Sequence, residues 1–277
     1  LALLAIGLLT SSCTTAPTAI EPAPASTETV VVAAEEPANI PSRPFPEDSF
    51  YDLLVAEFAV RRNRYDLALG NYLQQAHQTR DIGVTARATR LAQFLQADNA
   101  TLDAAQLWVE LDPDSAEAQY TTATMLAKNQ RPLEALQHMT VVLEQQGKTN
   151  FAAIAASALQ LPEAKRQQVE QAIDQLLTKY PDNGQIMTSK ALFLQQRGEA
   201  EAALALIQQV LKLNQQDLHA VVIEARLLQQ LGYKEKAFVR LEKTVQQFPL
   251  NRRLRLQYAR MLMSQDIALA KQQFETL

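Results

Sequence analysis

From about residue 49 to residue 277 the apolar positions recur with helical spacing, and that helical pattern itself repeats. Stacked segments give a 34-residue period. Six full units begin at Ser49, Ile82, Ala116, Asn150, Gly184 and Leu218, and a seventh begins at Arg252. Counting each unit from slot 1, slot 8 holds Ala56, Thr89, Ala123, Ser157, Ala191, Ala225 and Ala259, all small. Slot 20 holds Ala68, Thr101, Ala135, Val169, Ala203 and Ala237, and slot 24 holds Tyr72, Ala105, Met139, Ile173, Ile207 and Leu241. Slot 32 reads Arg80, Pro113, Gly147, Pro181, Gln215 and Pro249. Each unit therefore reads as two antiparallel helices. They cross most closely where slots 8 and 20 meet, because only small side chains admit the approach. Slot 24 fills the groove between units. Proline at slot 32 ends the second helix, since it lacks an N–H and clashes with the preceding turn. Gly198 and Gly232 fall in the turns between the helices of their units.

Small residues at slots 8 and 20, a large residue at 24 and proline at 32 resemble the tetratricopeptide repeat. Leu133-Glu134-Ala135-Leu136 and Lys234-Glu235-Lys236-Ala237 are similar to that family's second-helix openings. The fold this implies is all-α: a right-handed α-solenoid of helix-turn-helix units over 49–277. Its stacked units bury a core only through their neighbours. The pattern stops inside a second helix at Phe274-Glu275-Thr276-Leu277, so we expect the natural protein to continue beyond it.

Composition narrows the function. Seven glycines in 277 residues are too few for a nucleotide-binding α/β fold or a hairpin-rich β fold. One cysteine builds neither an intrachain disulfide nor a cysteine zinc site. His77, His138 and His219 sit in separate units, no metal-ligand or catalytic motif occurs, and Trp108 falls at a core position of a second helix. No enzyme activity, cofactor, metal or small-molecule substrate is expected. A net charge of −4 argues against nucleic acid.

Protein or peptide binding is the remaining route. The family resemblance implies a concave face lined by slots 2, 5, 9, 12 and 13 of the first helices. Arg90, Tyr120, Lys128, Arg226, Gln230 and Arg260 fall there, as do Phe151, Ile154 and Arg253. Cations recur at slots 9 and 13, so Arg90, Lys128, Arg226 and Arg260 are candidates to pair with carboxylates of an extended or helical peptide.

The first 48 residues differ in kind. Leu1–Leu9 is an apolar run too short to span a bilayer, followed by Thr10-Ser11-Ser12-Cys13. This resembles the lipobox of bacterial lipoproteins, with Thr10 where that family prefers leucine. The resemblance implies a partial signal peptide over 1–12, lipidation of Cys13 and, with Thr14 after it, an outer-membrane anchor facing the periplasm. Residues 13–48 hold seven of the twelve prolines over 17–46, with no apolar periodicity, and read as a disordered tether. Residues 1–48 carry about −5 of the charge and leave the repeats nearly neutral.

Tyr51-Asp52-Leu53-Leu54-Val55-Ala56-Glu57-Phe58, Tyr65–Leu69 and Gly83–Arg90 are similar to the start of proteobacterial outer-membrane lipoproteins that serve as adaptors of a periplasmic carboxyl-terminal processing protease. That resemblance implies a scaffold bringing a serine protease to its substrates, the peptidoglycan hydrolases. Two alternatives stay open: a pilus, secretin or outer-membrane assembly lipoprotein, and the non-catalytic N-terminal part of a larger enzyme.

Overall fold

The computed structural model describes residues 46–263 and 266–276. The signal segment, Cys13 and the tether up to residue 45 lie outside the described residues. The described chain is all-α, with fourteen helices in successive antiparallel pairs of tetratricopeptide type. The pairs are α1 (Glu47–Arg61) with α2 (Tyr65–Thr79), α3 (Ile82–Phe94) with α4 (Asp98–Leu111), and α5 (Ala116–Lys128) with α6 (Pro132–Glu144). They continue as α7 (Phe151–Ala158) with α8 (Glu163–Lys179), α9 (Gly184–Gln196) with α10 (Ala200–Leu213), α11 (Leu218–Gln230) with α12 (Lys234–Gln247), and α13 (Arg252–Leu262) with α14 (Ile267–Glu275).

The small residues sit where the helices cross. Ala56, Ala68, Ala123, Ala135, Ala191, Ala203, Ala225, Ala237 and Ala259 are each at most 1% exposed. The second unit uses threonine instead. Thr89 and Thr101 are buried, and each hydroxyl donates to the carbonyl four residues back, Thr85 at 2.9 Å and Ala97 at 3.0 Å. A threonine that satisfies its own hydroxyl in this way occupies the crossing without an orphaned donor. Every slot-24 residue is buried, from Tyr72 to Leu241.

Local chemistry marks each boundary. Every first helix but α1 opens on a side-chain cap: Asp81, Ser115, Asn150, Asn183, Asp217 and Asn251 accept from backbone N–H groups of the first turn. Five first helices, α1, α3, α5, α9 and α11, close on a left-handed residue at slot 15, namely Asn63, Gln96, Gln130, Gly198 and Gly232. The next N–H then reaches back to the last turn, as in Arg131 to Leu126 O at 2.9 Å and Tyr233 to Leu228 O at 2.8 Å. A Cβ at Gly198 would meet nothing within 4 Å, so Gly198→Ala carries a backbone penalty alone. It is expected to lower stability by about 1 kcal/mol in chemical denaturation.

The fourth unit departs from the strict period. Its cap is Asn150 itself, so α7 starts at Phe151 and runs only to Ala158. Ser157, expected at the crossing, is half-buried, and Ala155 and Ala158 are the small residues at 0% exposure. Phe151 and Ile154, expected on the binding face, are 0% and 1% exposed and belong to the core. α7 packs more extensively on α9 than on its own partner α8. Gly147 does not act as a simple helix stop. Its N–H bonds to Val142 O at 2.8 Å, and a Cβ there would lie 2.8 Å from Val142 Cγ1.

The core is a succession of clusters. One lies between α1 and α4, one between α5 and α9, and one between α9 and α14. Helix α9 serves two of them: Ile186 and Phe193 join the cluster before it, while Met187 and Ala191 join the one after.

Candidate functional site

The repeat puts slot 9 of one first helix beside slot 2 of the next, a separation of 27 residues. At the second and third units these are Arg90 and Glu117, which form a two-pronged ion pair with Nε–Oε1 at 2.8 Å and Nη2–Oε2 at 2.6 Å. Glu117 holds the Arg90 guanidinium firmly charged, and Arg90 in turn holds the Glu117 carboxyl below the usual range. The guanidinium also stands 5.3 Å over the ring of Trp108. Arg90 is thus committed to joining α3 to α5. Lys128 is committed as well, with its ammonium 2.6 Å from Asp98 at the start of α4. Both of these slot-9 and slot-13 cations therefore already have a carboxylate partner within the repeats.

Tyr120 is half-buried against the α5–α9 cluster, and its carbonyl accepts from Thr124. Gln230 is exposed and accepts from the Gln195 amide at 3.2 Å, linking α9 to α11. Arg260 is exposed in the last turn of α13, with no anionic partner among the described residues.

Arg226 is different. It is the slot-9 residue of α11, and the slot-2 residue 27 positions on is Arg253. The site that holds Arg and Glu between α3 and α5 therefore holds Arg and Arg between α11 and α13. The two line a pocket of about 230 Å³ with His219, over an apolar floor of Leu218, Val222 and Leu254. Among the described residues no carboxylate pairs with Arg226, Arg253 or the His219 ring. Asp217, at the pocket's edge, accepts from the backbone N–H groups of His219 and Ala220, both at 3.0 Å.

Arg226, Arg253 and His219 are all exposed as whole residues, and all three line the pocket. Burial and the neighbouring Arg253 both push the Arg226 guanidinium down from its ordinary value. Burial pushes the His219 imidazole down; Asp217 opposes this, while Arg253 and Arg226 reinforce it. A carboxylate entering the pocket would pair with both guanidinium groups, in the forked geometry they favour, and would draw a proton onto the His219 ring. The sequence pattern named Arg226. It placed Arg253 on the same face but gave no sign that the two share one pocket; their 27-residue spacing was the available signal.

Smaller features complete the groove along the first helices. Lys128, Met139 and Ile154 line a cavity between α5 and α7, and Arg87, Leu91 and Phe94 line another beside Tyr65. The Tyr65 and Phe94 rings meet edge to face at 5.4 Å. His77 pairs with Asp103 at 2.8 Å and His138 with Gln119 at 2.7 Å, in separate units. Among the described residues no group of three or more His, Cys, Asp or Glu could hold a metal ion. No described helix is long and apolar enough to cross a membrane.

A tetratricopeptide-repeat-containing protein of Pseudomonas aeruginosa is 40% identical to this chain over 261 residues, which make up 94% of the chain and 44% of that relative. The chain thus spans less than half the length of this curated relative. Similar solved structures include PilW, a widely conserved type IV pilus biogenesis factor, with TM-score 0.45, 13% identity, and coverage of 74% of this chain and 96% of that one. A tetratricopeptide-repeat protein from Parabacteroides merdae gives TM-score 0.43 and 16% identity, covering 84% of this chain and 85% of that one. No protein-family profile matches the chain.

Proposed function

We propose that this chain is a non-catalytic scaffold that binds an acidic peptide segment of a protein partner, with the pocket between α11 and α13 as the point of capture. The observation that carries the reading is the Arg226–Arg253 pair. It occupies the position that Arg90 and Glu117 fill with an internal ion pair, and it has no anion of its own. The apolar floor supplies burial for a neighbouring side chain of the peptide. The finer reading is that of a lipid-anchored adaptor at the periplasmic face of the outer membrane. It would bring a carboxyl-terminal processing protease to peptidoglycan hydrolases. That reading rests on the resemblance of 51–90 and of the Cys13 region to such adaptors.

The test follows from the repeat. Arg253→Glu would install the pair found at Arg90–Glu117 and close the pocket from within. A labelled acidic peptide should then bind about tenfold more weakly or worse in fluorescence anisotropy. The thermal midpoint should hold or rise slightly, because an exposed ion pair adds at most about 1 kcal/mol. Because His219 starts below its ordinary pKa and gains a proton beside a bound carboxylate, affinity should strengthen as the pH falls below about 6.5. Unchanged peptide affinity in Arg253→Glu would remove the pocket from the reading. For the finer reading, affinity purification of the full-length protein from membranes should recover a serine peptidase with cell-wall hydrolases. Recovery of secretin subunits instead would overturn it.

A further inference from the structure

In α9 and α11, slots 3, 6 and 10 of the first helix dock onto the unit before it. In α9 they are Ile186, Ser189 and Phe193, and in α11 they are Ala220, Ile223 and Leu227, all at most 1% exposed. Ile186 and Phe193 share a cluster with Val169 and Ile173 of α8, and Ile223 and Leu227 share one with Ile207 and Val210 of α10. In α1 the same slots hold Tyr51, Leu54 and Phe58, which are 68%, 44% and 53% exposed. Their spacing of three and four residues sets them on one stripe. Single exposed apolar residues are ordinary, but three large ones in the register of a docking face, with Phe50 beside them, form a surface that no other described residue covers.

The charges at the two ends of this stripe decide what fits it. One turn before Tyr51 lie Glu47 and Asp48, and one turn after Phe58 lie Arg61 and Arg62. None of the four has an ion-pair partner among the described residues. This stripe is therefore acidic at its amino end, apolar in the middle and basic at its carboxyl end, while Asp52 and Glu57 bond to Gln75 and Arg87. A second such helix laid antiparallel brings acid to base at both ends; laid parallel, it brings like to like. A two-fold axis across the helix produces the antiparallel arrangement, with one patch serving both sides.

We propose that α1 is a homodimerisation surface, on which α1 of a second copy of this chain packs antiparallel. Tyr51, Leu54 and Phe58 form the apolar seam, and Glu47 and Asp48 pair with Arg61 and Arg62 of the second copy. The seam lies five units away from the Arg226 pocket, so this inference stands independently of the peptide-binding reading.

Sedimentation equilibrium of the full chain tests it. The weight-average mass should move from monomer toward dimer as concentration rises to about 100 µM, as suits a small interface. Leu54→Asp with Phe58→Asp, both at exposed positions, should leave helix content unchanged by circular dichroism and hold the chain monomeric over the same range. Reversing one end, Glu47→Arg with Asp48→Arg, should weaken self-association about tenfold or more. Adding Arg61→Glu and Arg62→Glu should restore it to within about threefold of the original, because the acid–base order is inverted but complementary again. A full chain that stays monomeric throughout would overturn the proposal, whatever else covers the stripe. So would a four-fold charge swap that fails to restore association.

Discussion

Phe193→Ala is expected to lower the unfolding free energy by about 3–5 kcal/mol, the range for truncating a fully buried aromatic side chain. The residue is 1% exposed and packs in the cluster that spans α5 to α9. Its helix also contributes Met187 and Ala191 to the following cluster, so α9 is the seam between two stretches of core. In a stacked array each unit is held by its neighbours, and stability is close to a sum of unit and interface terms. Weakening one interior interface should therefore do more than shift the midpoint. It should separate the transition into two, with the units before α9 and those after it melting at different denaturant concentrations. Guanidinium titration followed by circular dichroism would show it. The control is Leu250→Ala, at 93% exposure, which should stay within about 0.5 kcal/mol of wild type. A loss below about 1 kcal/mol for Phe193→Ala would mean that α9 does not hold the two clusters together.

That seam was half legible in the sequence. Slots 8, 20 and 24 could be read because their requirements recur: the helix crossing keeps slots 8 and 20 to Ala, Thr, Ser or Val, and slot 24 fills the groove between units in every unit. The capping residues were legible in principle, since Asp81, Ser115, Asn183, Asp217 and Asn251 stand just before their units at the same slot. The fourth unit was not legible. Asn150 looks like a first helical residue when the period is counted, yet its side chain accepts from Ala153 N and delays the helix by one position. That choice is made by a side-chain hydrogen bond competing with the helix, which apolar periodicity does not report.

The binding face shows the same division. Slot position singled out cations, but it could not tell one with a carboxylate partner from one without. Arg90 and Arg226 have the same slot and the same residue type. What separates them is the identity of the residue 27 positions later, Glu117 in one case and Arg253 in the other. Lys128 is tied to Asp98 across 30 residues for the same reason: the repeat, not the local sequence, decides who meets whom.

Glu170→Ala should be the most damaging single change of charge, costing about 2–4 kcal/mol at neutral pH. Helix α8 is mostly polar and buries only Val169, Glu170 and Ile173, while its partner α7 is short. The fourth unit therefore lacks apolar contact where its neighbours have it, and an ion cluster stands there instead. The Glu170 carboxylate accepts from Lys190 at 2.9 Å and from Arg197 at 2.6 Å, and Lys190 also reaches Asp174. The Glu170 and Lys190 side chains are only 11% and 16% exposed, so removing the carboxylate leaves a largely desolvated ammonium with Asp174 alone. Arg197 keeps Glu199 and sits half in solvent, which holds the cost below that of a fully orphaned pair. The pH dependence has a definite sign. Burial pushes the Lys190 amine down, but its bonds to Asp174 and Glu170 outweigh this and hold it above its ordinary value. A raised amine contributes stability that is complete below the unfolded value of about 10.4 and is lost as pH rises through the folded one. The gap between wild type and Glu170→Ala should therefore be full at about pH 7 and narrow above about pH 10.4. Glu170→Gln, which keeps the shape and a hydrogen-bond acceptor, should fall between the two proteins at neutral pH. A gap of the same size at both pH values would show that the loss came from packing at α8 rather than from the buried charges.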